Sequence, residues 1–164
     1  MSARRAAARG PAEGVKVVAT NRRARFDFEI EDVEEAGLAL TGSEVKSLRA
    51  GNVNLSDAYA QPRGAEIFLV NCRIGEYREA GPFGHVPLRD RKLLLHRAQI
   101  DRLRGKIEQR GYTLVPLRVY FKEGWAKVEL GLARGRARAD RRDAIAERET
   151  RREIDRAMAR RRRR

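Results

Sequence analysis

Short apolar runs follow one another along most of this chain with too few residues between them for a helix. That spacing fits an antiparallel arrangement better than a parallel sheet, whose successive strands need a long crossover. Residues 26–31 show the pattern best: Phe26, Phe28 and Ile30 alternate with Asp27, Glu29 and Glu31, the period of two of a half-buried strand. Residues 15–19 read as the first strand or its lead-in. Residues 54–61 and 66–73 read as two strands joined around Pro62-Arg63-Gly64, and residues 112–121 and 125–132 as a last hairpin linked by Lys-Glu-Gly. Pro116, which cannot donate to a ladder, sets its strand at an edge or a bulge.

Helices are expected only at the connections. In residues 35–51 an alternating run stops at Thr41-Gly42, and Ser43 stands where an N-cap would satisfy the free amides of a helix over 44–50. Val45 and Leu48 can face a core, Lys46 and Arg49 share another face, and Gly51 ends the helix in a left-handed cap. Residues 75–88, rich in Gly and Pro, read as a loop. Residues 96–110 carry Ile100, Leu103 and Ile107 on one face of an amphipathic helix closed by Gly111. The fold class expected is mainly β: a small closed antiparallel barrel like the oligonucleotide-binding (OB) type, with about three short helices and a basic C-terminal tail. Residues 1–14 are expected to form a disordered basic arm, residues 15–132 the barrel and residues 133–164 the tail.

Charge narrows the partner. Thirty-seven Lys and Arg against twenty-three Asp and Glu give a net +14, a self-repulsion that a polyanion relieves. Nucleic acid and an acidic membrane surface both qualify. No apolar run is long enough to span a bilayer, residues 1–14 lack the apolar centre of a secretory signal, and a cytoplasmic monomer is expected. The single cysteine, Cys72, fits a reducing compartment and reads as a small buried side chain. Residues 132–164 hold fourteen Arg and six acids, a net +8 of the +14. There Ile145, Ile154 and Met158 are too few to hold a helix on a core, although pairs such as Glu147 with Arg151 could support one. The tail is therefore expected to be disordered alone and helical once phosphates neutralise it.

Catalytic constellations are not found. His85 and His96 have no Cys or His spacing of a zinc site, and the glycine clusters lack the spacing of a phosphate loop. Glu34 and Glu35 could pair on a nuclease metal, with a charged strand end as the alternative. No catalytic residue, metal or cofactor is assigned, and the chain is read as a non-enzyme. Binding groups are better represented. Asn21, Arg22, Arg23 and Arg25 gather donors suited to phosphate and sugar oxygens, as do Lys46 and Arg49, with a solvated basic face as the alternative for both. Arg91 and Lys92 precede Leu93, Leu94 and Leu95, so charge adjoins apolar surface. Tyr59, Tyr77, Tyr112, Tyr120 and Trp125 could stack unpaired bases, but aromatics of a small barrel are more often core.

Glu-Ala-Gly-Leu-Ala-Leu-Thr-Gly-Ser-Glu-Val-Lys-Ser-Leu-Arg-Ala-Gly, from Glu35 to Gly51, resembles the signature segment of the SmpB family, the SsrA-binding proteins of bacterial trans-translation. Similar wording recurs at Arg91 to Leu95, Arg110 to Pro116 and Gly131 to Arg142, in the family's order. The resemblance implies an OB-type barrel that grips the elbow of the transfer-RNA-like domain of tmRNA. It also implies a tail that becomes helical in the vacant mRNA channel of a stalled ribosome, so that a degradation tag can be appended. By the same resemblance the tmRNA contacts are Asn21, Arg22, Arg23, Arg25, Glu35, Arg91, Lys92, Leu95 and His96. The ribosome contacts are Arg134, Arg136, Arg138, Asp140, Arg141, Arg142, Ile145 and Arg148. Phe26 stands where some members have His, Ala139 where some have His or an aromatic, and Thr150 where some have Trp. A general RNA-binding OB or ribosomal protein is the alternative, and a metal-dependent nuclease the third reading.

Overall fold

The computed structural model describes residues 14–109, 111–135 and 138–162, the side chains of 138–144 excepted. In chain order it forms β1 (Val15–Thr20), α1 (Ala24–Asp27), β2 (Phe28–Leu38), α2 (Gly42–Arg49), β3 (Val53–Asn54), β4 (Tyr59–Arg63) and β5 (Glu66–Val70). There follow β6 (Arg73–Ile74), a 3-10 segment (Arg78–Phe83), β7 (Arg91–Leu94), α3 (Arg97–Ile107), β8 (Tyr112–Lys122), β9 (Trp125–Gly135) and α4 (Arg138–Arg162). The protein is mainly β, and every strand pairing is antiparallel.

Pairing runs from β8 through β4, β5, β7, β2 and β9 and returns to β8, a ring of strands, with β1 added alongside β8 and β3 paired separately with β6. The long strands bend to make this ring. β2 carries a register shift between Ile30 and Asp32, and β8 one between Pro116 and Arg118; such bulges kink a strand and raise its twist. β8 has neighbours on both sides, so Pro116 marks the bulge and not an edge. The β8–β9 hairpin closes through Glu123 and Gly124, both at positive φ (52° and 80°), the geometry of a tight turn matched to strand twist.

Leu48, Ile67, Leu69, Leu93, Leu103, Leu114, Val128 and Leu130 fill the ring, each at most 1% exposed. Helix α3 presents Ile100 and Leu103 to this core, as its spacing predicts. Its other side is fixed to β2: Arg102 reaches Asp32 and Glu34, both at 2.6 Å, and Gln99 donates to Glu34. A smaller cluster of Ala24, Val115, Leu117 and Ala133 packs beneath Phe28, Ile30 and Val33.

Several local readings need correction. The N-cap of α2 is Thr41, not Ser43, because Glu44 turns back to accept from the Thr41 amide (3.0 Å), one arm of a capping box. The Ser43 hydroxyl instead meets His85 Nδ1 (2.9 Å). Gly51 follows this helix at φ +78°, as expected of a left-handed cap. Phe26 belongs to the helical turn α1 and the strand begins at Phe28, since Asn21 Oδ1 accepts from the Ala24 amide (3.2 Å) and starts a turn. The run 54–61 is split where Asn54 Oδ1 accepts from the Ser56 amide (2.8 Å), and the run 66–73 where Asn71 takes φ 56°. The expected loop 75–88 contains the 3-10 segment, and β9 continues to Gly135, past the expected end of the body at 132.

Candidate nucleic-acid interface

Side chains alternate along β7, so Leu93 enters the core while Lys92 and Leu94 point outward, and Leu95 and His96 lead into α3. Gly37 of β2 lies opposite Leu94. A Cβ at Gly37 would stand 3.1 Å from the Leu94 Cβ, so glycine is what lets Leu94 close over the strand. The result is a groove of about 860 Å³ lined by Glu35, Gly37, Lys92, Leu95, His96 and Lys127, with Leu94 half exposed along it. Four of the expected residues, from two distant stretches, thus converge: Glu35, Lys92, Leu95 and His96.

Glu35 accepts from the Tyr120 hydroxyl and from Lys122 Nζ (3.4 Å). Partial burial alone would push its carboxyl up, but the Tyr120 hydrogen bond and the charges of Lys122 and Lys127 outweigh that and hold it below the usual carboxylate range. The groove therefore keeps Glu35 as an anionic acceptor, with Glu34 and Glu66 also in its lining, beside Lys92 and Lys127, a combination suited to base or sugar donors flanked by phosphates.

The sheet also connects this groove to the first basic stretch. Glu35 lies directly opposite Glu129 of β9. Glu129 binds the Arg118 guanidinium and lies 3.9 Å from Arg25, and Arg118 in turn stacks over the Tyr120 ring at 5.2 Å. A ladder of alternating charge thus runs from Arg25 to Glu35. Arg22 and Arg23 stand exposed at its far end, Arg23 paired with Asp27 (3.1 Å).

Two expected contact residues are directed inward. Asn21 is buried: its Nδ2 donates to the carbonyls of Leu55 (3.2 Å) and Pro116 (3.0 Å), and its Oδ1 is taken by Ala24. It holds the basic stretch in place and offers that stretch no donor. Arg91 is fully buried, because its register on β7 is that of Leu93. Its guanidinium donates to Glu44 (3.1 Å) and to the carbonyls of Cys72 (2.5 Å) and Pro87 (3.1 Å). Glu44, equally buried, also binds Arg89 at 2.9 Å. Burial pushes the Glu44 carboxyl up, but the Arg89 and Thr41 hydrogen bonds and the two arginine charges prevail and lower it. Near the same pair, burial pushes the Cys72 thiol up to about 11, consistent with the inert side chain expected.

Lys46 and Arg49 are exposed on α2, over the rings of Tyr77 and Phe121 at 5.4 Å each, and neither lines the groove. Glu34 is engaged by α3 and Glu35 by β8, and both line the groove; among the described residues no group of three or more His, Cys, Asp or Glu gathers that could hold a metal ion. Of the tail residues, Arg134 sits on β9 and donates to the Tyr112 hydroxyl (2.7 Å), so it belongs to the body. Arg136 lies outside the described residues, as do residues 1–13, Arg110 and the side chains of Arg138, Asp140, Arg141 and Arg142. Ile145 and Arg148 are exposed on α4, and among the described residues Glu147 and Arg151 form no ion pair. Residues the sequence did not single out are Gly37, Gln99 and Lys127. Strand register places Gly37 and Lys127 here, and the first turn of α3 places Gln99.

The family model described as SmpB protein matches residues 18–160. The chain belongs to the SmpB family. It is 78% identical over 152 residues to the SsrA-binding protein of Anaeromyxobacter sp. (strain Fw109-5), covering 93% of this chain and 92% of that one. It is 60% identical to the SsrA-binding protein of Myxococcus xanthus (strain DK1622), over 93% and 94% of the two chains. It is also similar to a solved chain described under "tmRNA-SmpB: a journey to the center of the bacterial ribosome", at 51% identity and a TM-score of 0.62, covering 77% of this chain and 93% of that one. The SmpB match includes the groove, the basic stretch and nearly all of α4.

Proposed function

We propose that this chain is the tmRNA-binding adaptor of trans-translation. It binds the transfer-RNA-like domain of tmRNA and delivers it to stalled ribosomes lacking a codon in the A site, where synthesis resumes on the tmRNA frame. The observation that carries the reading is the convergence of Glu35, Lys92, Leu95, His96 and Lys127 in one groove of an SmpB-family chain. Membership makes tmRNA the partner, and the groove offers donors and an acceptor to unpaired loop bases, the part of an RNA that side chains can read.

In this reading the ring of strands is a closed OB-like barrel, residues 15–135 form the RNA-binding body and residues 136–164 the ribosome-directed tail. Arg22, Arg23 and Arg25 take backbone phosphates beside the groove, and Lys46 and Arg49 offer a second basic edge. Arg136, Arg138, Asp140, Arg141, Arg142, Ile145 and Arg148 engage ribosomal RNA, and the helix α4 persists there because phosphates neutralise it. No step of this role requires the chain to catalyse a reaction. Its place of work, the ribosome, is cytoplasmic, and among the described residues no helix is long and apolar enough to cross a membrane.

Competition binding at moderate salt tests the proposal. The transfer-RNA-like fragment of tmRNA is expected to displace a labelled copy far better than an unrelated RNA of equal length. Equal displacement by both would defeat the adaptor reading.

A further inference from the structure

Two aromatic side chains among the described residues are largely exposed, Phe83 (87%) in the 3-10 segment and Trp125 on a strand. Trp125 opens β9 and is 73% exposed, although a tryptophan has more apolar surface to hide than any other residue. It does not lie on a loose loop. It pairs with Lys122 across the tight turn through Glu123 and Gly124, at the end of a ladder that continues to Tyr112 and Arg134. The backbone therefore fixes where the residue stands, and among the described residues no neighbour covers the ring.

The register decides which face it is on. Lys122, Tyr120 and Arg118 of β8 pair with Trp125, Lys127 and Glu129 of β9, and Lys127 and Glu129 pair with Gly37 and Glu35 of β2. Trp125 therefore shares the outer face with Glu35, Gly37 and Lys127, all three of which line the groove, and with Leu94 opposite Gly37. Along β9 it lies about 14 Å from Glu129, the position opposite Glu35, at roughly 3.4 Å per residue. A single RNA loop can reach both.

We propose that Trp125 is a stacking platform for an unpaired base of the transfer-RNA-like domain of tmRNA, extending the groove across β2 and β9, with Lys122 and Lys127 beside it for the flanking phosphates. The assignment rests on the adaptor reading. A flat apolar ring set between two cations, with an anionic acceptor along the same face, matches an extruded base on a phosphate chain. An apolar protein partner would be poorly served by those flanking charges.

Trp125 is the only tryptophan of the chain, so intrinsic fluorescence reports on it alone. Titration of the full chain with the transfer-RNA-like fragment is expected to quench that emission, saturating where an independent measurement places binding. Trp125→Ala is expected to weaken binding about tenfold, and Trp125→Phe, which keeps a ring, much less. Emission unchanged at saturation, or equal quenching by an unrelated RNA, would overturn the assignment. So would full affinity of a folded Trp125→Ala; if that variant fails to fold, the wild-type titration still decides. Selective binding with a silent tryptophan sinks only this inference, whereas absence of selectivity sinks the adaptor reading.

Discussion

The strand body and helix α4 are both rich in arginine, yet they use it in opposite ways. In the body, charge is matched inside the fold: Arg89 and Arg91 on Glu44, Arg102 on Asp32 and Glu34, Arg118 on Glu129, Lys92 on Glu66. In α4, residues 145–162 are all exposed and form no ion pair among the described residues. An arginine buried with its partner, as Arg91 is with Glu44, builds a surface for others to use, and one left mostly exposed is itself the binding group. Net charge alone, the quantity read most easily from the sequence, cannot separate the two.

The comparison can be broken at three points, in descending order of effect. Removal of residues 136–164 is expected to abolish tagging on stalled ribosomes while leaving affinity for the transfer-RNA-like fragment unchanged, read by a tagging assay beside a binding assay. Parallel loss of both would mean that the two regions do not divide the work.

Next comes Glu44→Gln, which leaves the buried Arg91 without its counter-charge and is expected to cost roughly 3–5 kcal/mol in urea unfolding. Because the folded Glu44 carboxyl lies below its ordinary value, the wild type holds this contribution above the unfolded carboxylate value of about 4.3 and loses it as pH falls through the folded one. The variant should lack that acid-dependent loss. Stability profiles that coincide at every pH would show that the matched charges in the body are incidental.

The smallest effect is expected from Arg102→Ala. Its ion pairs with Asp32 and Glu34 are half exposed, so about 1 kcal/mol or less should be lost, and less still at high salt. A loss as large as that of Glu44→Gln would mean that exposure does not sort these pairs as argued.

Much of the fold was legible because it is periodic. The alternation along β2, the closing hairpin, the bulge at Pro116 and the Ile100–Leu103 face of α3 follow from spacing and from what proline cannot donate. What escaped was set by single side chains: Asn21 starting the turn of α1, Asn54 and Asn71 dividing strands, Glu44 reaching back to Thr41. The candidate site was legible as residue types and not as a place. Arg91 looked like surface because it is charged, yet it shares the parity of Leu93, and nothing local in the sequence assigns that parity. Lys127 joined Glu35 only through the pairing of β2 with β9.

Strand β9 has Trp125 at one end and, three residues beyond its other end at Gly135, the start of α4. Ten residue steps of extended chain amount to about 34 Å at most. If both ends touch RNA, this strand is a measuring rod whose length sets how far apart two different molecules are held. A single inserted residue near its middle would do more than lengthen the rod. It would turn one end to face the opposite way, so natural variation in length should be confined to the turn and to the stretch after Gly135.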